Sequence, residues 1–355
     1  MTDTEDTVLR MGVPSGRRIE PAALSFLEGC GLRVRRESER QLSADISGVP
    51  GVVVYFQRAR DIVTQVTDGD LDIGLTGVDF VSEFGIEGDD LVILDPNLGF
   101  STGDLVVAVP DGWIDVTSMV DLADVAVTFR ERGQLLRVAT SYPRLAQRFL
   151  YEKGITHFTI IAMDGGVEAA PGAGFADVIV ELTVSGVSLK ENRLKVLRQA
   201  IVMKTQACLI GNRRSLTTDR DKRELARRIL ELIEARGRAQ GFYSVTANLR
   251  ATTETEVAEK LLGSPATRGR TGPTIARVFS ATEGLEERSV MQSGATGRRS
   301  GHWFAATIIV PSRDLQAAVD HLRDAGGSGI SVLQLRYLFD EQSHRVLELN
   351  RELGV

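Results

Sequence analysis

The sequence has little with which to build a metal centre or a disulfide framework. Its two cysteines, Cys30 and Cys208, stand far apart in apolar surroundings, which excludes a disulfide scaffold and a C-x-x-C metal site. Its four histidines, His157, His302, His321 and His344, share no ligand spacing and read as structural or surface residues. No apolar run approaches the roughly 20 residues that cross a bilayer as a helix. An excess of positive charge is missing too. With 42 Lys and Arg against 48 Asp and Glu, the net charge is −6, so the chain does not read as a general nucleic-acid binder. An anionic ligand would need a locally basic pocket. The opening Met-Thr-Asp-Thr-Glu-Asp is acidic and polar with no apolar segment behind it, which leads to the expectation of a cytoplasmic protein.

What remains is an ordinary globular composition, 43% hydrophobic and 25% charged over 355 residues, enough for two or three domains. Strand and helix signals alternate from the start. Val8 to Val13 reads as a strand, Pro14 to Arg18 as a basic loop, and Pro21 to Cys30 as a helix. Val52 to Gln57 is a strand, followed by a helix that Asp61 can cap. Leu71 to Asp79 repeats the pattern, with Thr76-Gly77 at the strand end and Asp79 in the first turn of a helix. Leu91 to Leu94 and Leu105 to Val109 are further strands. Continuous apolar strands alternating with helices predict a mainly parallel sheet covered on both faces, with ligands at the carboxyl ends of the strands.

The pattern restarts near Pro110. Trp113 to Ala123 reads as a loop and short helix, Leu136 to Ala139 as a strand, and Thr140-Ser141-Tyr142-Pro143 as a helix start. After a strand at Phe158 to Met163, Asp164-Gly165-Gly166-Val167-Glu168 turns towards the next segment. Val196 to Ile210 is strand-like, and Asp219 to Arg236 is a long amphipathic helix. Beyond Gly241, strands at Tyr243 to Leu249, Thr274 to Phe279, Trp303 to Val310 and Ile330 to Leu335 enclose helices at Thr253 to Leu262 and Ser312 to Ala325. That order is the split β-α-β of a ferredoxin-like domain, with Ser280 to Gly301 as a long polar loop.

The most informative stretch is Gly174 to Asn192. Val178, Ile179, Val180 and Leu182 predict a buried strand, interrupted by Asp177 and Glu181, whose even spacing points them to one face. Ser185-Gly186-Val187-Ser188 follows, and Ser188-Leu189-Lys190-Glu191 matches a capping box. Carboxylates accept hydrogen bonds from ribose hydroxyls, while a glycine turn offers backbone N–H groups to a phosphate, helped by serine hydroxyls. The order therefore reads as a sugar-phosphate cradle. Taken alone, an ordinary strand-to-helix connection explains it about as well.

With Asp164 to Pro171, Gly174 to Asn192, Leu71 to Asp79, Ala139 to Pro143, Gly272-Pro273-Thr274-Ile275 and Ala325 to Ile330 in order, the chain resembles the long form of ATP phosphoribosyltransferase of histidine biosynthesis. The resemblance implies a two-lobed core of the type II periplasmic-binding-protein kind and a C-terminal ferredoxin-like (ACT-like) α+β domain. It divides the chain into a catalytic region at 1–240, with lobe I about 1–105 and 198–240 and lobe II about 106–197, and a regulatory domain at 241–355. It implies transfer of the 5-phosphoribosyl group of phosphoribosyl pyrophosphate to N1 of ATP, with Mg²⁺ required, histidine as feedback inhibitor, and a homo-oligomer, hexamer or dimer. No nucleic acid or membrane partner is implied.

By the same resemblance, Glu168, Asp177 and Glu181 are the catalytic candidates, with Glu168 facing the ribose or the metal-bound pyrophosphate. Ser185, Gly186, Val187, Ser188 and Leu189 would bind the 5-phosphate. Arg17 or Arg18, together with Arg58, would neutralise substrate phosphates, and Thr76, Gly77 and Asp79 would line the substrate site. Thr274 and Ser328 fall in the effector elements. Three departures stand out: Asp104 where a base is common, Glu181 where aspartate is more usual, and two adjacent arginines in the first loop. The alternative is a non-catalytic nucleotide- or histidine-sensing binding protein on the same fold.

Overall fold

The computed structural model describes residues 8–16, 19–36, 38, 40–85, 90–279 and 302–355. Arg17, Arg18 and the polar stretch 280–301 lie outside them. The chain forms two compact units, one of residues 1–233 with 342–355 and one of residues 234–341.

The first unit holds two sheets. Its strands in chain order are β1 (Leu9–Pro14), β2 (Val34–Arg35), β3 (Ser43–Ile46), β4 (Val52–Gln57), β5 (Ile73–Gly77), β6 (Leu91–Asp95), β7 (Gly103–Pro110), β8 (Leu136–Thr140), β9 (Phe158–Ala162), β10 (Val178–Thr183), β11 (Leu194–Thr205) and β12 (Ala207–Asn212). Seven strands form one sheet in the order β2-β3-β4-β1-β5-β12-β6, and five form the other as β11-β7-β10-β8-β9. The chain leaves the first sheet after β6, builds the whole second sheet, and returns in β12. That double crossing is the two-lobed architecture of type II periplasmic-binding-protein-like folds.

The sheets are mixed rather than mainly parallel. β4, β1 and β5 run parallel, as do β10, β8 and β9, but β12, β7 and β11 pair antiparallel with their neighbours. Antiparallel strands enter because the chain must reverse direction at each crossing. The stretch expected as one strand, Val196 to Ile210, is two: β11 and β12 are divided at Gln206 and belong to different sheets. Apolar residues continue across that division, although β11 buries only some of them and β12 is buried throughout, so the residue pattern carries no trace of it.

Several local expectations differ in detail. The helix at Ala59–Asp68 is preceded by Arg58 without a side-chain cap, and Asp61 sits inside its first turn. The short helix expected before Ala123 runs Met119–Glu131, opened by a capping box of Ser118 and Asp121.

The last helix, His344–Leu353, belongs to the first unit. Its N-cap Ser343 accepts from Val346 N, and Val346, Leu349 and Leu353, spaced i, i+3, i+7, join the core of the first sheet. The second unit therefore ends at Glu341, short of the expected 355. Buried Asp72 ties the amino end of the long helix Arg220–Ala239 to the first sheet through Arg10, Lys222 and Ser215.

The second unit contains β13 (Phe242–Ala251), the helix Glu254–Leu262, β14 (Thr274–Val278), β15 (His302–Pro311), the helix Leu315–Asp324 and β16 (Ser328–Gln334). All pairings are antiparallel, and the order β14-β15-β13-β16 is that of a ferredoxin-like sheet. Val245, Ala247, Leu249 and Ala251 alternate on β13 towards the helices, facing Phe304, Ala306, Ile308 and Val310 of β15 in one core.

Candidate functional site

β10 organises the site, because its two ends do different work. At its amino end, Asp177 precedes the strand and is held by Arg137 at the start of β8. Arg137 donates from Nη2 to Oδ1 at 2.8 Å and from Nε to Oδ2 at 3.1 Å, and its backbone N–H donates to Oδ2 at 2.8 Å. A bidentate arginine pair of this kind leaves the carboxylate little capacity for a ligand. The carboxyl end carries Glu181, about 13 Å away at roughly 3.3 Å per residue. The expectation that Asp177 and Glu181 share one ligand face is corrected: Asp177 lies before the strand, at the end of the sheet remote from the glycine turn.

Glu181 stands opposite Val106 of β7, and one of its carboxylate oxygens accepts from the N–H of Leu182 at 2.8 Å. Burial pushes its pKa up to about 7, and the negative charges of Glu168 and Asp79 push the same way against the lowering effect of that N–H. Among the described residues no cation partners it. Glu168 arrives from the turn Val167–Ala169, which Gly165 and Gly166 open in left-handed conformations, φ 102° and 68°.

Past β10 the chain turns at Gly186, φ 71°, whose N–H donates to Thr183 Oγ1 at 3.1 Å. The helix Val187–Glu191 starts one residue before the expected capping box, with Gly186 as N-cap and no side-chain cap. Ser188 is thus inside the first turn, and its hydroxyl donates instead to Glu168 Oε1 at 2.8 Å. Ser185 and Val187 are exposed beside them. Glu168, Glu181, Ser185, Gly186, Val187 and Ser188 are therefore brought together, while Leu189 is buried beneath them.

Thr76, Gly77 and Asp79 adjoin this group but are committed to the protein. Thr76 Oγ1 donates to Ala59 O at 2.7 Å. A Cβ on Gly77 would meet Asp79 Oδ1 at 2.1 Å. Buried Asp79 accepts from the Tyr142 hydroxyl at 2.6 Å and from Thr205 Oγ1 at 2.5 Å. Desolvation, followed by the Asp79 charge, pushes the Tyr142 phenol well above its ordinary value, so it stays a donor. Four residues after Asp79, Glu83 accepts from the backbone N–H groups of Arg144 and Leu145 at 2.8 Å each, capping a helix of the second sheet from a helix of the first. Nothing local in the chain signals Thr205 or Glu83 in these roles. Tyr142 lay inside a noted motif, read there only as a helix start.

Arg58 reaches from the first sheet to Asp164 of the second at 3.1 Å, a well-exposed pair at the mouth of the cleft. The effector candidates are not brought together. Thr274 and Ser328 lie on β14 and β16, the opposite edges of their sheet, about 14 Å apart at roughly 4.8 Å per strand.

These features define a two-lobed α/β protein whose cleft joins carboxylates without a cationic partner among the described residues to a glycine-hydroxyl turn. The family model described as ATP phosphoribosyltransferase matches residues 58–235. ATP phosphoribosyltransferase 1, chloroplastic, of Arabidopsis thaliana is 38% identical over 349 residues, which are 98% of this chain and 81% of that protein. An ATP phosphoribosyltransferase of Brucella suis is 42% identical over 222 residues, 62% of this chain and 96% of its own. Among solved structures, an ATP phosphoribosyl transferase complex from Thermotoga maritima aligns with a TM-score of 0.47 and 27% identity, covering 64% of this chain and 99% of that one. The chain belongs to the ATP phosphoribosyltransferase family.

Proposed function

We propose that this protein transfers the 5-phosphoribosyl group of phosphoribosyl pyrophosphate to N1 of ATP, the first step of histidine biosynthesis, releasing pyrophosphate. The observation that carries the reading is the convergence of Glu168, Glu181 and the turn Ser185–Ser188 in one cleft of a chain of this family. Ribose hydroxyls would donate to Glu181 and Glu168. The N–H groups and hydroxyls of residues 185–188 would receive the 5-phosphate. The adenine ring nitrogen is itself the nucleophile, so no side chain need be one. The protein aligns the two substrates and stabilises the charge that develops on the sugar.

Among the described residues, no group of three or more His, Cys, Asp or Glu could hold a metal alone. The mutually repelling Glu168 and Glu181 nonetheless fit a hard divalent cation that takes its remaining ligands from substrate oxygens and water. Bound there, Mg²⁺ would neutralise charge on the departing pyrophosphate. Arg58 would exchange Asp164 for a substrate phosphate, and Arg17 or Arg18 would add a second positive contact.

The ferredoxin-like unit would carry histidine inhibition. Because Thr274 and Ser328 lie on opposite edges, a single histidine touching both elements would need two copies of the unit, in keeping with a homo-oligomer, hexamer or dimer. No described helix is long and apolar enough to cross a membrane. Cytoplasmic residence is proposed from the sequence, and fractionation of the source cells tests it.

The reaction is tested by pyrophosphate release together with the ultraviolet change of N1-substituted adenine. Both signals should require ATP, phosphoribosyl pyrophosphate and Mg²⁺, and histidine should suppress both. Binding of either ligand without turnover would favour the sensing protein instead.

A further inference from the structure

Where β7, β10 and β11 end near the strand crossing, a cavity of ≈ 640 Å³ opens between the two sheets of the first unit. Val78 and Pro96 come to it from the first sheet's side, and Asp104, Thr183, Lys204 and Gln206 from the strand ends. Register places Asp104 between the other two: opposite Thr183 on β10 and opposite Lys204 on β11. Side chains directly opposite in antiparallel strands share a face, so hydroxyl, carboxylate and ammonium form one row along the rim.

Two facts make the row unusual. Among the described residues lining the cavity, Lys204 is the one cation. Neither its ammonium nor the Asp104 carboxylate has a side-chain hydrogen bond or ion pair among the described residues. Thr183 also anchors the glycine turn through Gly186 N–H, so the row is continuous with the cradle. An exposed lysine without a described side-chain partner, on a row that leads to the glycine turn, is suited to an anion that arrives with its ligand.

We infer that Lys204 contacts a phosphate group of a substrate in this cavity, and that Asp104, directly opposite it in register, acts on that contact only through the lysine, pairing with its ammonium once the ligand orders the side chain. The inference rests on the proposed reaction. The shared chemistry is a phosphate oxygen, which either the ATP triphosphate or the phosphoribosyl donor could supply.

The test uses the full chain. Lys204→Gln should leave the melting temperature unchanged, weaken binding of inorganic pyrophosphate in calorimetry, and raise KM for one substrate about tenfold or more with kcat nearly constant. Lys204→Arg should restore most of that KM. A rise for ATP assigns the triphosphate, and a rise for phosphoribosyl pyrophosphate assigns the donor. Asp104→Asn should change the same KM in the Lys204 chain and leave the Lys204→Gln chain as it was, the signature of action through the lysine. An unchanged pyrophosphate affinity, or both KM values unchanged in the folded Lys204→Gln protein, overturns the inference. Absence of pyrophosphate release from the wild type would instead count against the reaction, and the calorimetric arm would still decide whether the anion site exists.

Discussion

The two ends of β10 carry acids four residues apart that differ in almost every physical respect. Asp177 is fixed by three donors from Arg137 and is spent on joining β10 to β8. Among the described residues Glu181 has one backbone donor, no cation, and two acids pushing its proton affinity up. The fold thus neutralises the carboxylate it uses as a joint and leaves poised the one that faces the cleft. A perturbed carboxylate without a cationic partner is what a site awaiting a polyhydroxyl or metal-bearing ligand shows.

Exchanging the two acids' environments by mutation separates the roles. Glu181→Gln should produce the largest loss of activity, on the order of 10²-fold or more in kcat/KM, with stability equal to or above wild type. A fully active, folded Glu181→Gln enzyme would remove Glu181 from the site.

The next effect is one of pH. Burial and neighbouring charge raise the folded pKa of Glu181 from the ordinary 4.5 to about 7, so the fold favours its protonated form. That stabilising contribution is complete below about pH 4.5 and is lost as pH rises through about 7. Activity should move the other way, because the ionised carboxylate binds ribose or metal. Log kcat/KM should rise with unit slope up to about pH 7 and level off, and Glu181→Gln should flatten that limb. A limb of the same position in the variant would assign it to another group.

Asp177→Ala should behave in the opposite sense. Breaking the Arg137 pair costs about 2 kcal/mol, below the value for fully buried pairs because the arginine is 41% exposed. Turnover measured well below the lowered melting temperature should stay within about threefold of wild type. A large loss of kcat in a thermally unchanged Asp177→Ala protein would return Asp177 to the catalytic group.

The smallest effect belongs to Ser188→Ala. It removes one hydrogen bond to Glu168 and one hydroxyl from the turn, worth about 1 kcal/mol, so a several-fold rise in KM for phosphoribosyl pyrophosphate is expected. No change in KM would leave the 5-phosphate to the backbone of the turn alone.

Much of this arrangement was legible beforehand. Val52–Gln57 was read to the residue, Asp79 was placed in a helix's first turn, and the order of strands and helices after Gly241 spelled the ferredoxin-like unit. Glycine before Val187 marked the turn. What escaped were contacts between residues far apart in sequence. Arg137 finds Asp177 across 40 positions, Thr205 finds Asp79 across 126, and Glu83 caps a helix that begins 60 residues later. None of these has a local signature, because each is fixed by strand register and packing rather than by neighbours along the chain.

By itself the sequence determined the alternation of apolar strands and helices, the family, and the stretch where the cradle lies, since these depend on short-range periodicity and on residue types in order. The tertiary structure alone decided which acid is paired, because pairing of β8 with β10 brings Arg137 to Asp177 and no described arginine to Glu181. It also decided that Gln206 divides two sheets and that Lys204 stands beside Asp104, since hydrogen bonds between distant strands set both.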